Sequence, residues 1–213
     1  MISNVFITGT DTGVGKTWVS AAAIRSLLRR GISAKALKPV ACGLDGGGRN
    51  DDIEVLLAAQ NLHHADQINR YRFALPAAPS QAAAAEGVVV DPSVLVQWCH
   101  DQSNGVETCL IEGVGGLMTP ITDSWLVSDW IETMPDYGVW LVVGCKLGAI
   151  NQTLLTLAKL KQMSRSPSRI FFNAVSADNN AWIESTRQAI APFLANACVS
   201  SSIRYGEQAS ISV

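Results

Sequence analysis

With 213 residues, 48% of them hydrophobic and 16% charged, the chain has the length and composition of one globular domain that can bury a sizeable core. A formal net charge of −2 offers no general attraction to nucleic acid, and no apolar run approaches membrane-spanning length, so neither a nucleic-acid nor a membrane partner is expected. Five cysteines, at positions 42, 99, 109, 145 and 198, form no CxxC pair, and the first strand begins without a basic-then-apolar leader; both point to a reducing cytoplasm.

The apolar run at 5–8 predicts a strand, and Gly9-Thr10-Asp11-Thr12-Gly13-Val14-Gly15-Lys16-Thr17 follows it. Glycines let backbone N–H groups turn toward an anion, a helix N-terminus adds favourable partial charge, Lys16 reaches terminal phosphates and the Thr17 hydroxyl ligates magnesium. The loop is a variant: the usual pattern wants glycine where Thr10 stands, and the glycine sits one position earlier, at Gly9. Its setting between strand and helix separates it from a glycine-rich turn with a surface lysine. Thr12, Gly13, Val14, Gly15, Lys16 and Thr17 are therefore the candidate set for a nucleoside triphosphate, ATP being the expected co-substrate.

Val19, Ala22, Ala23, Ser26 and Leu27 give the next helix one small apolar face, and Arg29-Arg30-Gly31 reads as its C-terminus. A strand at 34–38 leads into Lys38-Pro39-Val40-Ala41-Cys42-Gly43. Lys38 is either a solvated or structurally paired lysine, or a second cation offsetting charge on a transferring γ-phosphoryl group. Cys42 is a lone cysteine with no histidine placed to activate it, so it is not assigned as a nucleophile. Residues 43–49, with Gly46-Gly47-Gly48, lack apolar anchors and are expected to form a mobile loop, either a lid over substrate or a surface insertion.

Asn50-Asp51-Asp52 opens a helix through Leu57; Asp52 is a candidate metal ligand, or else stabilises that helix's positive end. His63, His64 and His100 lack partners at metal-ligand spacing and read as surface or helix-end histidines, so no zinc site is proposed. Residues 82–85 are helix-forming, and Asp91-Pro92 opens a helix through Val94, Leu95 and Trp98. A strand at 109–112 ends in Glu112-Gly113-Val114-Gly115-Gly116, where Glu112 is a second candidate for magnesium. After a strand at 139–143, Gly144-Cys145-Lys146-Leu147-Gly148-Ala149-Ile150-Asn151 is either an ordinary strand-to-helix turn or a helix start that receives a second anion. A last strand is expected at 170–173.

Apolar runs alternating with helical patterns imply an α/β fold: a single domain, 1–213, with a mostly parallel central sheet flanked by helices, of the phosphate-loop NTPase type. In such sheets ligands bind beyond the carboxyl ends of the strands, where these polar signatures fall.

Taken in order, GTDTGVGKT, KPVACG, RNDD, IEGVGGLMTPITD, VGCKLGAIN and Asn173 resemble the dethiobiotin synthetase family through about residue 173. The resemblance implies a cytoplasmic homodimer that converts 7,8-diaminononanoate, CO2 and ATP into dethiobiotin, ADP and phosphate with Mg2+. One amine becomes a carbamate, ATP phosphorylates it, and the other amine closes a urea ring. It further implies that Lys16 and Lys38 are catalytic and that Thr17, Asp52 and Glu112 form the magnesium site, Glu112 also lying beside the nucleotide. Thr12, Lys38 and Cys42 would face substrate, Leu147, Gly148, Ile150 and Asn151 would take its carboxylate across the dimer, and Asn173 would read adenine.

The chain departs from the family's pattern at Cys42, where serine is frequent, at Gly13, which can be acidic in relatives, and at Ala174, where an Asp can assist base recognition. The C-terminal Gly-Glu turn is another departure, with Glu207 a displaced candidate. On the residues alone, a phosphate-loop amidoligase or ligase acting on another carboxylate, a nucleotide-dependent switch ATPase and a noncatalytic family member stay open. A switch, however, would be expected to carry a basic amphipathic tail, and none is seen.

Overall fold

The five apolar runs become strands β1 (Val5–Gly9), β2 (Ala34–Leu37), β5 (Thr108–Glu112), β6 (Gly138–Gly144) and β7 (Pro167–Asn173). Together with β8 (Val199–Ile203) they form one sheet in the order β2-β5-β1-β6-β7-β8, and every pair in it is parallel. The structure, a computed structural model, describes residues 4–195 and 197–206. A second, two-stranded parallel sheet pairs β3 (Val40–Cys42) with β4 (Tyr71–Phe73).

The central strands carry continuous apolar runs because both faces of a parallel sheet are covered. Alternation divides them between two cores: Val142 and Phe171 join the larger, while Leu141, Val143, Ile170 and Phe172 join the smaller. The helices are α1 (Lys16–Arg29), α2 (Asp51–Gln60), α3 (Pro79–Ala85), α4 (Pro92–Ser103), α5 (Val127–Glu132), α6 (Ala149–Gln162) and α7 (Trp182–Ile190). α1 and α2 pack on each other and on β2, while α6 and α7 pack on each other and on β6 and β7.

On α1 the burial is wider than one stripe. Ser20, Ala21 and Ile24 are buried beside Val19, Ala22, Ala23 and Leu27, because the helix is covered by α2 as well as by the sheet, whereas Ser26 is only partly buried. α4 begins as expected, with Asp91 Oδ1 accepting from the N–H groups of Ser93 (2.8 Å) and Val94 (3.2 Å). Residues 43–49 differ from the expected unanchored loop: Asp45 Oδ1 accepts from Gly47 N (2.9 Å) and Arg49 N (2.8 Å), a polar closure that takes the place of apolar anchors.

Candidate active site

Five adjacent strands deliver their carboxyl ends to one edge of the main sheet. The phosphate loop leaves β1, Lys38 follows β2, Glu112 ends β5, Cys145 and Lys146 follow β6, and Asn173 ends β7. Gly15 caps α1 at φ +92°, and a Cβ there would lie 2.1 Å from Asn173 Nδ2, so geometry and space both require glycine. Asn173 is buried and donates from Nδ2 to the Val14 carbonyl at 2.8 Å, fastening the loop to the end of β7. Gly9, the displaced glycine of the variant loop, has the same steric need, since a Cβ there would meet Val14 Cγ2 at 2.7 Å.

Lys16 folds over the loop and donates to the carbonyls of Asp11 (3.0 Å) and Gly115 (2.7 Å). Burial and the neighbouring Lys38 ammonium lower its pKa to about 8. Asp11 ties the loop to α6: its Oδ2 accepts from Gln152 Nε2 at 3.1 Å and lies 3.4 Å from Lys146 Nζ.

Beside the loop, Lys38 Nζ sits 2.6 Å from Glu112 Oε1 and 2.9 Å from Asp52 Oδ2. Burial alone would lower the Lys38 pKa, but the two carboxylates outweigh it and raise the value well above that of a free lysine. For Asp52, burial pushes the pKa up and the Lys38 ammonium and Thr17 hydroxyl more than reverse it, leaving a net lowering. Thr17 Oγ1 lies 2.6 Å from Asp52 Oδ1 and 2.7 Å from Glu112 Oε1, yet one hydroxyl carries one proton and can satisfy only one of them. Glu112 Oε2 is buried with no partner among the described residues.

Two asparagines position this cluster. Asn50 caps α2 by accepting from Ile53 N (3.3 Å), while its Nδ2 donates to the carbonyls of Cys42 and Gly43 (3.1 Å each), which fixes where α2 presents Asp52. Asn69 Nδ2 donates to the Lys38 carbonyl at 2.7 Å and holds the backbone where the chain leaves β2.

A crevice of about 980 Å³ opens above these groups. Thr12, Gly13, Gly15, Lys16, Thr17, Lys38, Cys42, Asp52 and Glu112 all line it, so most of the residues singled out in the sequence meet in one volume. Burial pushes the Cys42 thiol up to about 11, in keeping with its not being assigned as a nucleophile. Val14 is buried and Asn173 lines a neighbouring cavity instead. Leu147, Gly148, Ile150 and Asn151 are exposed and line neither cavity, and no residue of 43–49 lines the crevice. Glu207 lies outside the described residues.

The segment 114–120, quoted after β5 without a role, lines the crevice, and sequence reasoning missed several further lining groups: Pro76 and Pro79 ahead of and at the start of α3, and Gln152, Thr156 and Lys159 along α6. Gln152 carried one readable signal, since it stands one position past the helix start quoted as an anion receiver.

Two ammonium groups beside two carboxylates and a hydroxyl, at a phosphate loop, suit a polyphosphate held with a divalent cation. Among the described residues no three His, Cys, Asp or Glu side chains form a metal cage. Magnesium in phosphate-transfer sites is held by one or two carboxylates and completes its shell with phosphates and water. The partnerless Glu112 Oε2 and the shared Thr17 proton leave a local donor deficit that a divalent cation would relieve.

A family model described as "AAA domain" matches residues 3–199. The chain is similar to the ATP-dependent dethiobiotin synthetase BioD of Aliivibrio salmonicida (strain LFI1238), 38% identical over 167 residues, or 76% of this chain and 72% of the relative. Among solved structures it resembles the signal recognition particle receptor FtsY of Elizabethkingia anophelis (TM-score 0.53, 13% identity), covering all of this chain but only 62% of that one. It also resembles a ParA family ATPase of Chlorobium tepidum TLS (TM-score 0.52, 14% identity), covering 95% of this chain and 83% of that one. These last two likenesses carry the fold alone. With the phosphate loop, the Lys38 cluster and the curated relative in agreement, the chain belongs to the family of ATP-dependent dethiobiotin synthetases.

Proposed function

We propose that this chain closes the urea ring of dethiobiotin from 7,8-diaminononanoate, CO2 and ATP. The observation that carries the reading is the convergence of Lys16, Lys38, Thr17, Asp52 and Glu112 on one crevice beside the phosphate loop, in a chain whose relative bears that activity's name.

The chemistry divides among these residues. An unprotonated amine adds to CO2 and loses a proton, giving a carbamate whose negative charge Lys38 is placed to balance. A carbamate oxygen then attacks the γ-phosphorus of ATP and ADP leaves; Lys16, released from the Asp11 and Gly115 carbonyls, follows the transferring phosphoryl group. The second amine attacks the carbonyl carbon of the mixed anhydride, phosphate departs with the C–O bonding pair, and loss of a proton leaves the five-membered urea. Thr17, Asp52 and Glu112 would hold magnesium. When bound, it neutralises charge on the β- and γ-phosphates as the phosphoryl group moves.

The substrate carboxylate is assigned to the start of α6 at Leu147, Gly148, Ile150 and Asn151, supplied by a second copy of the chain. What supports this is that these residues are exposed and absent from their own chain's crevice, with Leu147 81% exposed. A cytoplasmic setting accords with five cysteines free of disulfides, and among the described residues no helix is long and apolar enough to cross a membrane.

The test is purified protein with magnesium-ATP, bicarbonate and 7,8-diaminononanoate, following dethiobiotin by mass and ADP by coupled assay. The proposal expects one ADP per ring, dependent on the diamine. ADP release without ring product would return the chain to the switch or amidoligase readings.

A further inference from the structure

Lys38 occupies the same carboxylates that a divalent cation would take. Its ammonium engages Glu112 Oε1 at 2.6 Å and Asp52 Oδ2 at 2.9 Å, while Thr17 Oγ1 contacts Glu112 Oε1 and Asp52 Oδ1. Of the four carboxylate oxygens, only Glu112 Oε2 is left without a partner among the described residues. The Lys38 and Glu112 side chains are 4% and 1% exposed, so water screens a second positive charge only weakly there. An ammonium and a divalent cation therefore compete for Asp52 and Glu112 and do not share them.

The Lys38 backbone is fixed on both sides. Its N–H donates to the Ile68 carbonyl at 2.9 Å, its carbonyl accepts from Asn69 Nδ2 at 2.7 Å, and Pro39 follows. Any rearrangement thus falls to the side-chain torsions. Apart from the two carboxylates, the ammonium has a long contact of 3.4 Å to the Gly113 carbonyl. Lys38 also lines the crevice with Thr12 and Cys42, so an ammonium that leaves the carboxylates turns into the volume where the carbamate is formed.

We propose that Lys38 is a placeholder cation: it holds Asp52 and Glu112 together, yields them to magnesium as the triphosphate binds, and only then turns its ammonium to the carbamate. This deepens the ring-closure reading and rests on it. The consequence is a sign. Carbamate and γ-phosphate are both anionic and would oppose each other's binding, whereas an ammonium set free by the metal makes them assist each other, and by linkage the assistance is reciprocal.

Two measurements on the full chain test the exchange. In the first, Mn2+ serves as a paramagnetic stand-in for magnesium and is titrated into protein without nucleotide, free ion being read by electron paramagnetic resonance. Lys38→Met removes the competing ammonium and should bind Mn2+ at least about tenfold more tightly than the wild type. A lysine that only kept the carboxylates in position would give the opposite sign, and equal or weaker binding by the variant overturns the proposal. The second measurement uses the wild type alone, and so decides the matter even if Lys38→Met does not fold. Calorimetric titration with 7,8-diaminononanoate in bicarbonate is run with and without saturating magnesium and the β,γ-imido analogue of ATP. The diamine should bind at least about fivefold more tightly in their presence. Affinities within about twofold of each other, or weaker binding with the nucleotide, overturn the exchange. A diamine that binds under neither condition would instead overturn the ring-closure reading itself.

Discussion

Replacing Gly15 with alanine probes the contact that fastens the phosphate loop to the sheet. At φ +92° an L-residue pays about 1–2 kcal/mol for the backbone conformation alone. The new Cβ would stand 2.1 Å from Asn173 Nδ2, so the amide must move and surrender its 2.8 Å bond to the Val14 carbonyl. Because Asn173 is only 5% exposed, the displaced amide is left poorly satisfied, which costs about 1–3 kcal/mol more. Gly15→Ala should therefore destabilise the chain by about 2–5 kcal/mol. In an Asn173→Ala background the same change meets no amide and costs only the backbone strain. Urea unfolding of the wild type, both single variants and the double variant, followed by far-ultraviolet circular dichroism, should give a double variant less destabilised than the sum by about 1–3 kcal/mol. Additivity within about 0.5 kcal/mol would refute the coupling between Gly15 and Asn173.

Glu112→Gln removes one partner of a buried charge pair, so it should cost about 3–5 kcal/mol of stability and weaken magnesium affinity, while Glu184→Gln, exposed on α7, leaves both nearly unchanged; isothermal titration with magnesium and thermal melts would show otherwise if Glu112 stood apart from the metal. Asn50→Ala removes the cap of α2 and the link to β3, and is expected to lose about 1–2 kcal/mol and lower the apparent magnesium affinity through Asp52, read by urea midpoint and magnesium titration. Lys16 has a folded-state pKa near 8, below the unfolded value of about 10.5, so the unfolded chain binds more protons between those values and this group makes stability rise with pH across that window. Metal-free tripolyphosphate affinity should move the opposite way, falling as pH climbs past about 8, and a profile as flat as that of Lys16→Met would exclude Lys16 as the titrating group. Lys38 has its pKa raised, so its stabilisation is fully present below about 10.5 and is lost only at higher pH, outside that window.

The strands that carry the site were readable because their apolar runs are continuous, as burial on both faces demands; 5–8 and 109–112 each fall within one residue of β1 and β5. β8 left no such trace, since its Val-Ser-Ser-Ser-Ile sequence forms an edge strand with only Ile203 buried. β3 and β4 are three residues each, too short to show a period. At the site, the sequence named Thr17, Lys38, Asp52 and Glu112 separately, but their meeting depends on strand order, with Thr17 and Glu112 separated by 95 positions in the chain. The link from Asp11 to Gln152 spans 141 positions and no local pattern announces it. The closure of the glycine-rich loop left no apolar signal because it is made by hydrogen bonds of Asp45, through both its carboxylate and its backbone, to residues 47–49.

In the proposed mechanism a carbamate, and not water, receives the γ-phosphoryl group in the crevice that Lys16 and Lys38 line. A single turnover with freshly dissolved CO2 carrying the heavy oxygen isotope, quenched before its oxygens exchange with solvent, tests it directly by mass spectrometry of the products. The mechanism predicts one heavy oxygen in the released phosphate and one in the urea carbonyl of dethiobiotin. Phosphate free of the heavy isotope, alongside an equal amount of ADP, would contradict it.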